Sequence, residues 1–275
     1  MIIEIIKAII LGIVEGVTEW LPISSTGHMI LVESLMPLNV SKEFYNMFLV
    51  VIQLGAILAV CIEFFSKLNP WYGRKNAKVK YETFQLWGKI IVGCIPAGVI
   101  GVLFNDWFEE HMNNVYVVAA TLIAYGILFI LLENRNRKRT FKVKNTTQLT
   151  YPMAFAIGCF QTLALVPGTS RSGATILGAM LIGVARTPAA EFSFFLSAPV
   201  MFGASLLKVV KFMKNGVSMT GTEVGVLLIG TAVAFGVSVL AIRFLMGYVK
   251  KHDFKVFGYY RIILGIIVLA YFLLL

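Results

Sequence analysis

Glu15 and Glu19 stand four residues apart in an otherwise apolar run, so on a helix they share one face. Downstream in the same stretch, residues 12–31 (GIVEGVTEWLPISSTGHMIL), come Pro22, the hydroxyl run Ser24-Ser25-Thr26, Gly27 and His28. Two carboxylates on one face suit a hard divalent cation, magnesium or calcium, held through oxygen. Ser25 or Thr26 offers a hydroxyl nucleophile, and His28, three residues past Ser25, could act as its base or as a leaving-group acid.

A second stretch, residues 158–177 (GCFQTLALVPGTSRSGATIL), answers the first. With a shift of 146 positions Gly12 falls on Gly158, Glu15 on Gln161, Ser24 on Ser170, Thr26 on Ser172 and Gly27 on Gly173. The second copy has Arg171 where the first has Ser25, and lacks counterparts of Glu19 and His28. Ser170, Arg171, Ser172 and the backbone N–H groups around Gly173, leading into a helix N-terminus, make an anion cradle suited to phosphate. Cation, anion cradle, nucleophile and base together are the parts of metal-assisted phosphoryl hydrolysis.

The elements carrying these residues must lie in a membrane. Of 275 residues 58% are hydrophobic and 14% charged, and the mean hydropathy is +0.83, outside the range of ordinary water-soluble domains. The first apolar run carries acids and lacks a basic n-region and a small-residue cleavage site, so no cleavable signal peptide is expected. Cys61, Cys94 and Cys159 lack metal-site spacing and are expected to be buried packing residues. The net charge of +10 sits in short loops between hydrophobic spans. That is the positive-inside pattern rather than a nucleic-acid surface, and no nucleic-acid partner is expected.

In chain order, residues 1–36 read as a helix broken at Pro22 and a second segment too short to cross the roughly 20-residue thickness of a bilayer. They are expected to form a re-entrant hairpin. Spans follow at 44–65, 84–104 (kinked at Pro96) and 115–132, separated by a basic loop at 67–81 with Lys67, Arg74, Lys75, Lys78 and Lys80, and an acidic loop at 105–114 with Asp106, Glu109 and Glu110. After the most basic loop, 134–150, the plan repeats: a broken hairpin at 151–184 and spans at 191–212, 223–248 and 257–275.

The expected fold is therefore all-α and polytopic, one membrane domain over 1–275. Inverted repeats cover about 1–133 and 151–275, each one re-entrant hairpin and three spans. Three spans per half put the halves in opposite orientations, as in many transporters. The positive-inside rule sets the 67–81, 134–150 and 250–255 loops in the cytoplasm and both termini outside, with the hairpin tips meeting near the midplane. Lys211 and Lys214 run against that rule.

Taken singly, each residue has an ordinary reading. A Ser-Ser-Thr run is commonly packing glue between helices, a lone histidine is commonly a satisfied interfacial residue, and Arg171 could snorkel. Glu33 and Glu63 lie near segment ends and are read as interfacial. Glu191 beside Arg186 is explained as well by a helix N-terminus as by function. Gln53, in mid-span, needs a partner. It is the joint occurrence of acids, hydroxyls, imidazole and guanidinium on two related broken segments that ordinary packing does not explain.

EGVTEWLPISSTGH, PGTSRSGAT, AAEFSFFLSAP (189–199) and the terminal YYRIILG resemble the undecaprenyl-diphosphate phosphatase family of the bacitracin-resistance type, over essentially the whole chain and without departure at the motif positions. The resemblance implies hydrolysis of undecaprenyl diphosphate to undecaprenyl phosphate and inorganic phosphate at the outer face of the bacterial plasma membrane. This recycles the lipid carrier of peptidoglycan synthesis and confers bacitracin resistance. It implies dependence on a divalent cation. It maps the acid motif to Glu15 and Glu19, the serine/histidine motif to Ser24, Ser25, Thr26 and His28, and the arginine motif to Ser170 and Arg171. Glu15 and Glu19 are then the expected metal residues, and Ser25, His28, Arg171 and Glu19 the catalytic ones. Ser24, Thr26, Ser170, Arg171, Ser172 and Gly173 are expected to bind phosphate. A homodimer is among the assemblies compatible with this reading.

Three nucleophiles stay open: Ser25 with His28 as base, His28 itself, or metal-bound water. A lipid flippase or transporter is the competing class, since a carrier needs the cradle but neither nucleophile nor base. A phosphatidic-acid-type lipid phosphatase would need a lysine-arginine-proline motif and a second motif histidine, which this sequence lacks.

Overall fold

The computed structural model describes residues 2–73, 76–214 and 219–274. Arg74 and Lys75 of the expected basic loop, and residues 215–218 between the expected spans 191–212 and 223–248, lie outside them. Eleven α-helices run in chain order among the described residues: α1 (Ile2–Thr18), α2 (Ser25–Leu35), α3 (Lys42–Glu63), the single turn α4 (Phe65–Leu68), α5 (Ala77–Met112), α6 (Val115–Asn136), α7 (Tyr151–Thr162), α8 (Arg171–Leu181), α9 (Arg186–Lys214), α10 (Gly221–Tyr248) and α11 (Lys255–Leu274). The only extended pairing among the described residues is one parallel bridge between Val143 and Val184. Six helices, α3, α5, α6, α9, α10 and α11, are long and apolar enough to cross a membrane, which makes this a helical multi-pass membrane protein.

Local chemistry fixes where these helices begin. Ser41, Asn76 and Asn114 each accept a backbone N–H three residues on, at 3.2, 3.0 and 2.9 Å, and Thr220 with Glu223 closes a capping box at α10. α5 and α9 continue through Pro96 and Pro199, which a membrane interior tolerates where neighbours re-satisfy the freed carbonyls.

The expected acidic loop at 105–114 is not a loop. α5 extends to Met112 and carries Asp106, Glu109 and Glu110 on its last turns. Trp107 and Phe108 continue the apolar pattern across the acids, and the helix stops only where Asn113 and Asn114 can terminate one helix and cap the next. At about 1.5 Å per residue, its 36 residues reach well beyond an apolar layer of about 30 Å.

The two ends of the bundle differ in charge. At one end the N-terminal turn meets the segment after α2, with Glu4 accepting the Asn39 N–H at 2.9 Å and Lys7 donating to Pro37 O at 2.6 Å. The end of α11 joins it through a 3.1 Å hydrogen bond between Tyr271 and Ser34. At the other end lie the basic connections. Lys67 pairs with Glu191 at 2.8 Å, and Arg139 donates to Leu181 O at 3.3 Å. The buried Glu133 takes Arg186 on both oxygens and the Phe254 N–H at 2.9 Å. Glu63 pairs with Arg243 at 2.8 Å. Glu191 thus answers Lys67, and Arg186 answers Glu133.

Packing crosses between the halves of the chain. α1 packs mainly on α10, α7 mainly on α5, α6 on α11, and α3 on α9 and α10. Small residues make the crossings close. A Cβ at Gly12 would stand 2.6 Å from Gly230 O, and one at Gly158 would run into the backbone of Gly93. Where α6 meets α11 the relation is reciprocal: a Cβ at Gly126 would be 2.7 Å from Gly258 O, and one at Gly258 2.7 Å from Gly126 O. Between these crossings lies an aromatic core in which Trp20 meets Phe194 edge-on at 5.3 Å and Phe64 meets Phe195 at 5.2 Å.

Candidate active site

The two broken stretches become two helix–break–helix units, α1–α2 and α7–α8, with matching geometry at the break. α1 ends at Thr18, three residues earlier than the apolar run suggests, although Glu19 N still donates to Glu15 O at 3.0 Å. Ser24 and Ser170 are the N-caps of α2 and α8. Their side chains accept the Gly27 and Gly173 N–H groups at 3.4 and 3.2 Å. Both take left-handed backbone conformations, φ 73° and 68°, and are the only non-glycine residues with positive φ among those described. That conformation costs on the order of 1–3 kcal/mol and persists only where the surroundings impose it.

The breaks meet directly. Glu19, just past the end of α1, is 8% exposed and places Oε1 3.1 Å from Arg171 Nη2. Ser25, the first residue of α2, donates its hydroxyl to Glu19 Oε2 at 2.9 Å. Arg171, the first residue of α8, also donates Nη1–H to Ser193 O at 2.9 Å and lies over the Trp20 ring at 5.8 Å. Its Nε–H is buried without a partner among the described residues. Ser193 belongs to the AAEFSFFLSAP segment on α9, and its hydroxyl meets Thr175 Oγ1 at 2.7 Å.

The remaining residues picked out by sequence divide between cavity and framework. Glu15, Ser25 and Thr26 line a cavity of about 690 Å³ whose walls include Gln53. The cavity reaches Lys42, Asn113 and Lys208, at the end of the molecule where α1 begins and α11 stops. Glu15 itself is buried, with Oε1 unpartnered among the described residues. Ser172 is fully buried and lies 3.3 Å from both Glu19 O and Leu21 O, strapping one break to the other, and its hydroxyl meets Ser170 Oγ at 3.1 Å. Ser24, Ser170 and Ser172 thus hold the backbone, while Thr26 faces open space.

His28 is not a partner of Ser25. Its Nδ1 lies 2.7 Å from Ser24 O and its Nε2 2.7 Å from Tyr260 OH. A carbonyl only accepts, so the neutral ring carries its proton on Nδ1 and takes the Tyr260 O–H on Nε2. Three-residue spacing on a helix predicts proximity. Here the ring instead turns back over the break to the Ser24 carbonyl, and Glu19 takes the Ser25 hydroxyl.

Two residues of the terminal YYRIILG run enter the site without a sequence signal strong enough to single them out. Tyr260 is one. Arg261 is the other: fully buried, it donates to Pro22 O at 3.2 Å, Gly168 O at 2.9 Å and Thr169 O at 3.0 Å, with Tyr125 5.3 Å away on its face. The available signal was a lone arginine inside an apolar span, which is expensive and functional by default.

No group of three or more His, Cys, Asp or Glu among the described residues converges to hold a metal. A cation completed by substrate phosphates needs only one or two carboxylates. The unpartnered Glu15 Oε1 fits such a hard ion, whereas the expected second carboxylate, Glu19, has one oxygen on Arg171 and the other on Ser25.

Fold and site define a helical multi-pass membrane protein with a buried carboxylate–guanidinium–hydroxyl cluster at the foot of a polar cavity. Residues 8–267 match the family described as Bacitracin resistance protein BacA, and the chain belongs to that family. Curated relatives span its length. A protein of Desulfitobacterium hafniense named Undecaprenyl-diphosphatase is 60% identical over 272 residues, 98% of this chain and 97% of its own. One of Acetivibrio thermocellus with the same name is 58% identical over 270 residues, 98% of each. Undecaprenyl-diphosphatase 1 of Clostridioides difficile is 58% identical over 274 residues, all of this chain and 98% of its own.

Proposed function

We propose that this chain hydrolyses undecaprenyl diphosphate to undecaprenyl phosphate and inorganic phosphate, returning the lipid carrier to peptidoglycan synthesis and so protecting against bacitracin. Its relatives bear the name of that activity at 55–60% identity. The observation that carries the chemistry is the chain Ser25 Oγ–Glu19–Arg171, built from both breaks beside the cavity.

In this reading the prenyl chain lies between apolar helix faces and the diphosphate enters the cavity. The free N–H groups at the starts of α2 and α8 and the spare Nε–H of Arg171 receive the terminal phosphoryl group. Thr26, on the cavity wall, adds a hydroxyl. Ser25 Oγ attacks the terminal phosphorus while its proton passes to Glu19 Oε2, the oxygen it already addresses, and the bond to the bridging oxygen breaks. Undecaprenyl phosphate leaves as a stable anion, and water then hydrolyses the phosphoserine. His28, tied to the Ser24 carbonyl and to Tyr260, holds the start of α2 in place for that attack. Glu15, through its unpartnered Oε1, would hold a divalent cation, while Glu19, the other expected metal residue, has its oxygens engaged by Arg171 and Ser25. When bound, that ion neutralises diphosphate charge.

The topology follows as part of the proposal. Two inverted repeats, each with a re-entrant hairpin, are supported by the matched serine caps and by the crossed packing of α1 on α10 and α7 on α5. The cavity reaches the end opposite the basic connections, and the positive-inside rule assigns that end to the outer face.

The test is phosphate release from undecaprenyl diphosphate by purified protein in detergent, with magnesium, calcium or chelator, beside Ser25→Ala and Arg171→Ala. Cation-dependent release lost in both variants supports the proposal. A folded wild-type protein that releases nothing with any cation overturns it, and lipid flipping in liposomes then becomes the assay for the carrier reading.

A further inference from the structure

We infer that Arg261 is a positioning residue that clamps the two breaks in register, so that Ser25 and Glu19 of one unit face Arg171 of the other. The inference rests on the proposed phosphatase reading for its catalytic consequence, and on geometry alone for the clamp.

The geometry is specific. Arg261 reaches Pro22 O through Nη1 and Gly168 O through Nη2. Under the 146-residue shift that superposes the two stretches, Pro22 falls on Gly168. The two carbonyls are thus equivalent positions, each two residues before a left-handed serine cap, Ser24 or Ser170. A third bond, to Thr169 O at 3.0 Å, and 3.5 Å approaches to the Thr121 and Leu122 carbonyls of α6 complete its surroundings. The cation therefore sits among backbone oxygens and has no carboxylate partner among the described residues.

A buried guanidinium without a counter-ion is costly, so it is kept where a rigid planar fork does something an apolar side chain cannot. Here it draws toward one point two turn carbonyls that have no other partner among the described residues. Each break has only a few short-range backbone bonds of its own, Ile23 N–H to Leu21 O in the first and Val166 N–H to Leu163 O and Thr169 N–H to Val166 O in the second, and each ends in a serine cap in a strained conformation, which needs external constraint. Ser172 straps the breaks at Glu19 and Leu21 from one side, and Arg261 grips them from α11. A lysine could keep the charge but not the fork, since one ammonium nitrogen cannot reproduce two separated Nη donors.

The experiment uses purified full-length Arg261→Lys in detergent, with wild type and Arg171→Ala alongside. Hydrogen exchange is followed at the amides of 24–27 and 170–173, and kcat and KM are measured on undecaprenyl diphosphate. The clamp predicts faster exchange at both breaks together, and kcat lower by about 10- to 100-fold, the loss of charged hydrogen bonds, with KM little changed. In an Arg171→Ala background, Arg261→Lys should lower kcat by less than about threefold, because residues acting through one another are non-additive. A plain loss of stability would be additive and would not select the two breaks.

Unchanged exchange at either break overturns the clamp, as does full kcat with both breaks loosened. If wild-type protein proves inactive, the phosphatase reading fails while the exchange data still decide the clamp. If Arg261→Lys does not fold, Gly173→Ala replaces it. Its Cβ would stand 3.0 Å from Arg261 Nη1 and push on the guanidinium from the second break. Faster exchange at 24–27, on the other break, supports the clamp, and unchanged exchange there overturns it.

Discussion

Glu19 and Arg171, 152 positions apart in the chain, form a buried ion pair at 3.1 Å, and the free oxygen of that carboxylate takes the Ser25 hydroxyl at 2.9 Å. The side chains are only 8% and 10% exposed, so the pair binds the two breaks electrically as well as sterically. Removing one partner strands a charge at a cost of about 3–5 kcal/mol, whereas removing both is often near neutral. Arg171→Ala should therefore lower the thermal unfolding midpoint sharply, and the double variant Glu19→Gln/Arg171→Met should recover most of it. Activity should not follow. Both variants are expected to lose at least about 10²–10³-fold in kcat, the usual loss on removing one transition-state donor. A double variant regaining activity with stability would show that the pair is structural only.

Glu15 differs from Glu19 in having an unpartnered oxygen. Glu15→Gln should raise the magnesium concentration for half-maximal phosphate release by about tenfold or more, while leaving kcat at saturating cation closer to wild type than any Arg171 variant. One carboxylate among few protein ligands controls affinity for a hard ion strongly. A cation titration reads this directly, and an unchanged midpoint would remove Glu15 from cation binding.

The His28–Tyr260 contact predicts a graded pair of variants. Tyr260→Phe deletes one hydrogen bond, worth about 0.5–1.5 kcal/mol, and should cost kcat no more than about tenfold. His28→Ala also releases the Ser24 carbonyl and should cost more. Steady-state rates for both decide it. Equal losses would mean that the imidazole acts only through the tyrosine.

Helix crossings give a prediction free of catalysis. Gly158→Ala puts a methyl into the Gly93 backbone and should destabilise by about 1–3 kcal/mol, the usual cost of overpacking. Gly236→Ala, with no atom within 4 Å of its added Cβ, should not lower the midpoint. Thermal unfolding in detergent compares the two.

Much of this was legible in the sequence, for physical reasons. Polar and charged residues are expensive in apolar spans, so Glu15, Glu19, Ser25 and Arg171 stood out, and the recurrence of Gly12, Ser24 and Gly27 as Gly158, Ser170 and Gly173 at a fixed shift marked two related breaks. Six long apolar helices could be counted from hydropathy. What stayed hidden depends on direction rather than type. The spacing of Ser25 and His28 gives nearness along the chain, but the left-handed Ser24 and the ring's turn toward its carbonyl decide which partner each side chain meets. Arg261 was visible as a charge in the last span, yet its targets are backbone carbonyls 92–239 positions away, and carbonyls leave no mark in a sequence. The end of α5 was misplaced because three acids looked like a loop, while Trp107 and Phe108 kept the helix going.

The crossed packing has a consequence for how the protein is made. The face of α1 around Gly12 is covered by α10 near Gly230, 218 residues further on. At about 5–20 residues per second of synthesis, the first helix spends tens of seconds in the bilayer before its partner is translated. For most of that interval the acids of the first break have no Arg171 to face, and Arg261 follows only after α10. The α1–α10 and α6–α11 contacts therefore form late. A ribosome that stalls before α10 leaves behind an unpartnered helix carrying charges that the membrane has every reason to expel.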